Sequence, residues 1–253
     1  MKFSIHSLHG GVKNIDEIHK RAVRAEELGW DGIFLGESHL SSIDSFQTLA
    51  SCAMITQRLL LGIAVTNIVF RHPTVIAGAA ASLNAISKGR AIMGIGTGFD
   101  LSVYNWAKRK IREGAAQAGR NENDIKIIVA GMLCVNDDGD KARKIVRNRI
   151  ANRAHHNFRF TFETVPAEEL EGVKKFMAGF DVMKPMEERV DPDLVNEYLI
   201  QRFSIAGSPK ECIERIDELN DAGVEHLMLT PARTVYRETV EAFAKSVIPH
   251  FRK

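Results

Sequence analysis

The sequence predicts an α/β fold of parallel strands joined by helices, and three observations carry that prediction. From Phe3 to Gly98, short apolar runs alternate with stretches of helical periodicity. Some of those runs, such as "LLLGIAVTN", are apolar on both faces, as strands covered by helices are. The links are short and punctuated by Gly, Pro or Asp, as in repeated β-α units. An open doubly wound sheet and a closed barrel share this signature, and periodicity does not separate them.

Each element has a local cause. "FSIHS" (Phe3 to Ser7) is a short strand. Ile15, Ile18, Ala22, Ala25 and Leu28 recur at helical spacing, and Gly29 closes that helix. "DGIFLGES" is a second strand. Asp44 caps a helix running to Gln57. "LLLGIAVTN" (Leu59 to Asn67) is the third strand. Pro73 starts a helix that Gly89 ends, and "AIMGIGTG" (Ala91 to Gly98) is the fourth strand. Further on, a helix extends to Gly119 and a strand runs from Asp124 to Val135. A long basic helix starts near Gly139 and passes Arg153. Helices are expected over Val165–Gly179, Asp191–Phe203 and Pro209–Ala222. A strand from His226 to Thr230 and a helix from Tyr236 to Ile248 complete about six parallel strands.

The 253 residues are 45% hydrophobic, enough to bury the core of one domain spanning 1–253. A formal charge of +2 offers little drive toward nucleic acid. No run of eighteen or more apolar residues occurs and the first residues lack a secretory pattern, so no membrane partner and a cytoplasmic location are expected. Cys52, Cys134 and Cys212 are too scattered for a disulfide framework and read as buried or free thiols. The histidines show no metal spacing, so no metal is expected. GxSxG and GxxxxGK[ST] are absent, and no GxGxxG opens a helix after the first strand.

In parallel α/β architectures chemistry gathers beyond the carboxyl ends of the strands. There lie Glu37 and His39, two apart and so on one side of an extended chain. A carboxylate beside an imidazole can orient it for proton transfer, which makes Glu37 and His39 the candidate catalytic pair. The alternative is a carboxylate bonding the next helix, with His39 merely exposed. Thr66 and Asn67 end the third strand with donors and acceptors suited to a heterocycle edge, or to tying down their own loop. The glycines of "GIGTG" admit a flat ligand or tight packing.

These residues resemble the bacterial luciferase-like family, and its F420-dependent methylenetetrahydromethanopterin reductase-like branch in particular. The resemblance is carried by "AEELGWDGIFLGESH", "VTNIVFRHPTVIAGAAASLNAISKGRAIMGIGTG", "REGAAQAGRNENDIKI" and "IAGSPKECIERIDELNDAGVEHLMLTP". It implies a TIM-barrel-like fold, a homodimer, and coenzyme F420 as cofactor, with FMN as the alternative. It also implies a ring site at Val65, Thr66 and Asn67 and at Gly96, Thr97 and Gly98, with His39 facing substrate or ring and Glu37 at the acidic position of strand two. The implied activity is hydride transfer between the deazaflavin C5 and a small or pterin-like substrate. FMN-dependent monooxygenation and a noncatalytic flavin-binding role are the other readings.

One departure stands out. The family interposes two β-α units and a phosphate-holding loop between the "GIGTG" and "REGAAQAGR" stretches. This chain crosses in "FDLSVYNWAKRKI", so the expected strands five and six are missing between about residues 100 and 108. An incomplete barrel leaves a strand edge that favours self-association. Arg143, Arg147 or Arg153 could then take over the phosphate.

Overall fold

The computed structural model describes residues 1–7, 14–36, 43–64, 73–93, 127–158 and 162–252, with scattered positions between 108 and 121. The chain divides into two compact units, Met1–Gly96 with His226–Lys253, and Thr97–Glu225.

The first unit is a run of β-α repeats: β1 (Lys2–Ser7), α1 (Ile15–Glu27), β2 (Gly32–Leu35), α2 (Ser45–Ile55), β3 (Leu60–Ile63), α3 (Pro73–Ile86) and β4 (Ala91–Met93). Its later strand β7 (His226–Pro231) and helix α8 (Tyr236–Ser246) return from the end of the chain. All its strand pairs are parallel, in the order β4-β3-β2-β1-β7. The second unit holds β5 (Val129–Val135), α4 (Gly139–Phe158), α5 (Leu170–Ala178), α6 (Glu197–Phe203), β6 (Ser204–Gly207) and α7 (Pro209–Asp221). There β5 and β6 pair in parallel from Met132↔Ser204 to Val135↔Gly207.

The strands of the first unit separate two chemistries by their alternation. Phe3, Ile5, Ile33, Leu35, Leu61, Ile63, Leu227 and Leu229 are buried and face the helices. Phe3 meets Phe243 edge-on at 5.3 Å, and Trp30 stacks on Phe243 at 5.0 Å. The opposite face is smaller and more polar: Ser4, His6, Gly32, Phe34, Gly62 and His226. A Cβ on Gly62 would overlap the Phe34 ring, so glycine is what lets that ring lie across β3.

The amino ends of the strands are tied by charge. Glu26 accepts the backbone N–H groups of Gln57, Arg58 and Leu59 at the start of β3. Burial works against its ionisation, but those three donors prevail and hold its pKa below the usual carboxylate value. Arg90 donates to Thr56 Oγ1 and to the carbonyls of Ala53, Leu59 and Ser87. Asp31 accepts from Phe3 N at 2.7 Å and pairs with Arg252.

The second unit is organised by α4, whose Ala142, Val146, Ile150, Ala154 and Phe158 form a buried stripe. Arg202 is buried there over the Phe158 ring at 4.9 Å and donates to Thr164 O and Oγ1. Seven strands form among the described residues, against about six expected from sequence. The addition is β6, four residues with a single large apolar side chain, Ile205, directly after a helix and too short for periodicity to register. The helix expected over Asp191–Phe203 is two pieces, a 3-10 turn at Pro192–Leu194 and then α6, because Asn196 caps a fresh start through Leu199 N. All three cysteines are free and buried, and burial pushes the Cys52 and Cys212 thiols up to about 12, which keeps them inert. Among the described residues no helix is long and apolar enough to cross a membrane.

Candidate active site at the strand carboxyl ends

Three of the first unit's strands bring polar atoms together at their carboxyl ends. His6 lies near the end of β1 and its Nε2 is 2.8 Å from the carbonyl oxygen of Ala64, just past β3. A carbonyl only accepts, so Nε2 carries the proton of this bond. Gly36, just past β2, makes room for this bond. A Cβ there would stand 3.2 Å from Ala64 O and 3.4 Å from His6 Nε2. Ala64 N donates to Leu35 O at 2.8 Å, which continues the β2–β3 ladder to the rim.

Beneath this rim the face is filled. Ser4 Oγ meets His226 Nε2 at 2.8 Å, and the Phe34 ring lies edge-on to His226. Thr230, next to last in β7, lies on the same face as His226, two pairs of residues along. The β1–β7 register runs Lys2↔His226 to Ile5↔Leu229, so the next pair is His6 with Thr230. Behind β1, on the helix side, Arg21 donates to Ser7 Oγ and stacks at 4.5 Å over the Tyr236 ring. Burial pushes the Tyr236 phenol up, against the pull of Arg21.

In the second unit the carboxyl ends of β5 and β6 are closed by their own side chains. Ser208 and Glu211 form a reciprocal capping box at the start of α7, with Ser208 N donating to Glu211 at 2.6 Å. Arg143 donates to Glu211 at 2.9 Å and to Asp140 at 2.8 Å. The donors of Ser208, then Arg143, draw the Glu211 carboxyl down to about 2. A Cβ on Gly139 or Gly207 would run into that carboxylate. Glu211 fills the "AGSP" turn. Arg143 is committed to two carboxylates. Arg153 sits at the other end of α4, with Nη1 near Ala130 O at 3.4 Å, and burial followed by the Arg149 charge lowers its pKa. Arg147 Nε is buried without a hydrogen-bond partner.

The residues expected from sequence, Glu37, His39, Val65, Thr66, Asn67, Gly96, Thr97 and Gly98, all lie outside the described residues. Two of them have a described neighbour. Glu37 follows Gly36 and Val65 follows Ala64, and these two flanks are in contact. Sequence reasoning passed over His6, Gly36 and Ala64. A lone histidine in an apolar strand carries no mark of the face it occupies until the register is known.

A profile of the family described as luciferase-like monooxygenase matches the chain over residues 1–108 and 98–226. The two stretches meet in the segment where the sequence crosses directly from "GIGTG" toward "REGAAQAGR". The 5,10-methylenetetrahydromethanopterin reductase of Methanopyrus kandleri is 28% identical over 153 residues, 59% of this chain and 42% of that protein. The chain therefore spans less than half of that relative in the matched stretch. The enzyme of the same description from Methanolobus tindarius is 21% identical over 307 aligned positions, 88% of this chain and 93% of that protein. An alignment longer than the 253-residue chain leaves many of that relative's positions without a counterpart. Among solved structures, the coenzyme F420 dependent tetrahydromethanopterin reductase from Methanopyrus kandleri superposes with a TM-score of 0.73 at 19% identity, covering 99% of both chains. The parallel β-α repeats, the polar rim at their carboxyl ends and this matched profile agree, and the chain belongs to the luciferase-like monooxygenase family.

Proposed function

We propose that the protein is an F420-dependent oxidoreductase acting on a small or pterin-like substrate. The carrying observation is the rim formed by His6, Gly36 and Ala64, which leads directly into Glu37 and Val65. It supports this reading because a flat ring needs a floor without side-chain bulk and with a few fixed polar atoms, and Gly36 and the Ala64 carbonyl are of that kind. When bound, the deazaflavin supplies a C5 that gives or takes a hydride. The chain's own work is to place the ring, exclude water and orient the substrate. In this reading Val65, Thr66, Asn67, Gly96, Thr97 and Gly98 line the ring, and Glu37 orients His39 toward substrate. With Arg143 held by two carboxylates, Arg147 or Arg153 is the basic-helix candidate for the phosphate. The crossing between about residues 100 and 108 replaces two β-α units within a single luciferase-like domain. The protein works in the cytoplasm as a homodimer.

The FMN reading is kept for one reason: the matched family is described as a monooxygenase family. Separate absorbance or fluorescence titrations with F420 and with FMN decide between them. Saturable F420 binding with weaker FMN binding is the expected result. The reverse order assigns the protein to flavin chemistry, and no binding of either removes the oxidoreductase reading.

A further inference from the structure

Thr230, the penultimate residue of β7, is 2% exposed, and its hydroxyl has no hydrogen-bond partner. Other buried hydroxyls find one. Thr48 donates to Asp44 O at 2.6 Å, Thr56 to Cys52 O at 2.8 Å and Ser204 to Ile200 O at 2.6 Å. Ser4, on the same face of the strands as Thr230, meets His226. Among the described residues, Thr230 Oγ1 is the one buried hydroxyl left unmatched. Such a group destabilises a fold by about 1–3 kcal/mol and native structures retain few of them. Valine has nearly the same shape and would remove the penalty, so packing alone does not explain a threonine here.

Its position supplies a reason. Continuing the β1–β7 register sets Thr230 beside His6, roughly 4.8 Å away across neighbouring strands. The His6 ring in turn holds the Ala64 carbonyl, the last described residue before Val65, Thr66 and Asn67. Thr230 thus belongs to the same polar rim, on the β7 side of β1.

We propose that Thr230 is a cofactor-contact residue whose hydroxyl pairs with a ring carbonyl or ring N–H of the bound deazaflavin. A hydroxyl both donates and accepts, so it serves either group on the edge of such a heterocycle. This inference rests on the F420 reading and deepens it. It assigns a ring contact to the last strand, β7.

F420 titrations of wild type, Thr230→Val and Thr230→Ser test it, alongside melting of the cofactor-free proteins. Thr230→Val should weaken F420 binding about three- to tenfold, the worth of one neutral hydrogen bond. The same variant should melt no lower than wild type without cofactor, since it loses an unmatched hydroxyl. Thr230→Ser keeps the hydroxyl and should bind within about twofold of wild type. Equal F420 affinity in Thr230→Val and wild type overturns the inference while leaving the F420 reading intact. Equal weakening in both variants also overturns it, because the methyl group and not the hydroxyl would then be responsible. A wild-type protein that binds no F420 removes the parent reading and this one together.

Discussion

Glu211 is a carboxylate with both oxygens engaged, and at the scale of single residues its consequence is a pH dependence. Its pKa is about 2 in the folded protein against an ordinary 4.5, first through the Ser208 donors and then through Arg143. A lowered folded-state pKa means that its stabilisation is fully present above 4.5 and disappears as the pH falls toward 2. The side chain is 43% exposed, so solvent screening reduces the effect to about 1 kcal/mol. Glu211→Gln should therefore be less stable than wild type near neutrality, with the difference closing as the pH approaches 2. Urea denaturation at several pH values measures this, and a constant difference across the range would refute it. The Ser208 cap was legible in sequence only as the start of a helix at Pro209. The return bond from Glu211 follows the local S-x-x-E spacing, but the Arg143 bridge joins residues 68 apart, which no local pattern announces. The same limit hid the rim. His6 and Ala64 lie 58 residues apart, and only strand register brings them together.

Elements were more legible, because periodicity and punctuation are local. The helix expected from Pro209 begins there, and the helix from Pro73 and the strands at Phe3, Gly32 and His226 stand where the apolar runs put them. Shorter signals failed where context decides. Strand β5 begins at Val129, later than the Asp124 expected, and the helix expected from Val165 begins at Leu170 after a turn. The site segments beyond β2, β3 and β4 lie outside the described residues, so their expected contacts stand as proposals. Glycine placement gives a test at this scale. Gly62 lies beneath the Phe34 ring, whereas nothing within 4 Å would meet a Cβ on Gly78 in α3. Gly62→Ala should cost about 1–3 kcal/mol through overpacking. Gly78→Ala should gain up to about 1 kcal/mol from helix propensity. Chemical denaturation of the two single variants resolves these opposite signs, and a neutral Gly62→Ala would mean that the ring has somewhere else to go.

At the scale of the whole molecule the open question is self-association, and two helices bear on it. Neither α2 nor α3 contains a charged residue, although they pack side by side and expose apolar side chains. Met54 is 73% exposed, Ile55 42%, Val75 54% and Ile86 44%. Isolated exposed apolar residues are ordinary, but two adjoining helices without a charge that expose four large apolar side chains are a candidate interaction surface. The proposed homodimer would cover that face with a second copy, and each buried Met or Val side chain would then contribute about 1.5–3 kcal/mol. Light scattering should give twice the 28.2 kDa chain mass for wild type. Met54→Glu with Val75→Glu places two like charges in the contact and should raise the dimer dissociation constant by about a hundredfold or more. The expected outcome is a folded monomer with unchanged far-ultraviolet circular dichroism at a concentration where wild type is dimeric. A wild-type protein that remains a 28.2 kDa monomer at tens of micromolar would rule the homodimer out. A double variant that stays dimeric would move the contact away from α2 and α3, toward the strand edge that the shortened chain was expected to leave uncovered.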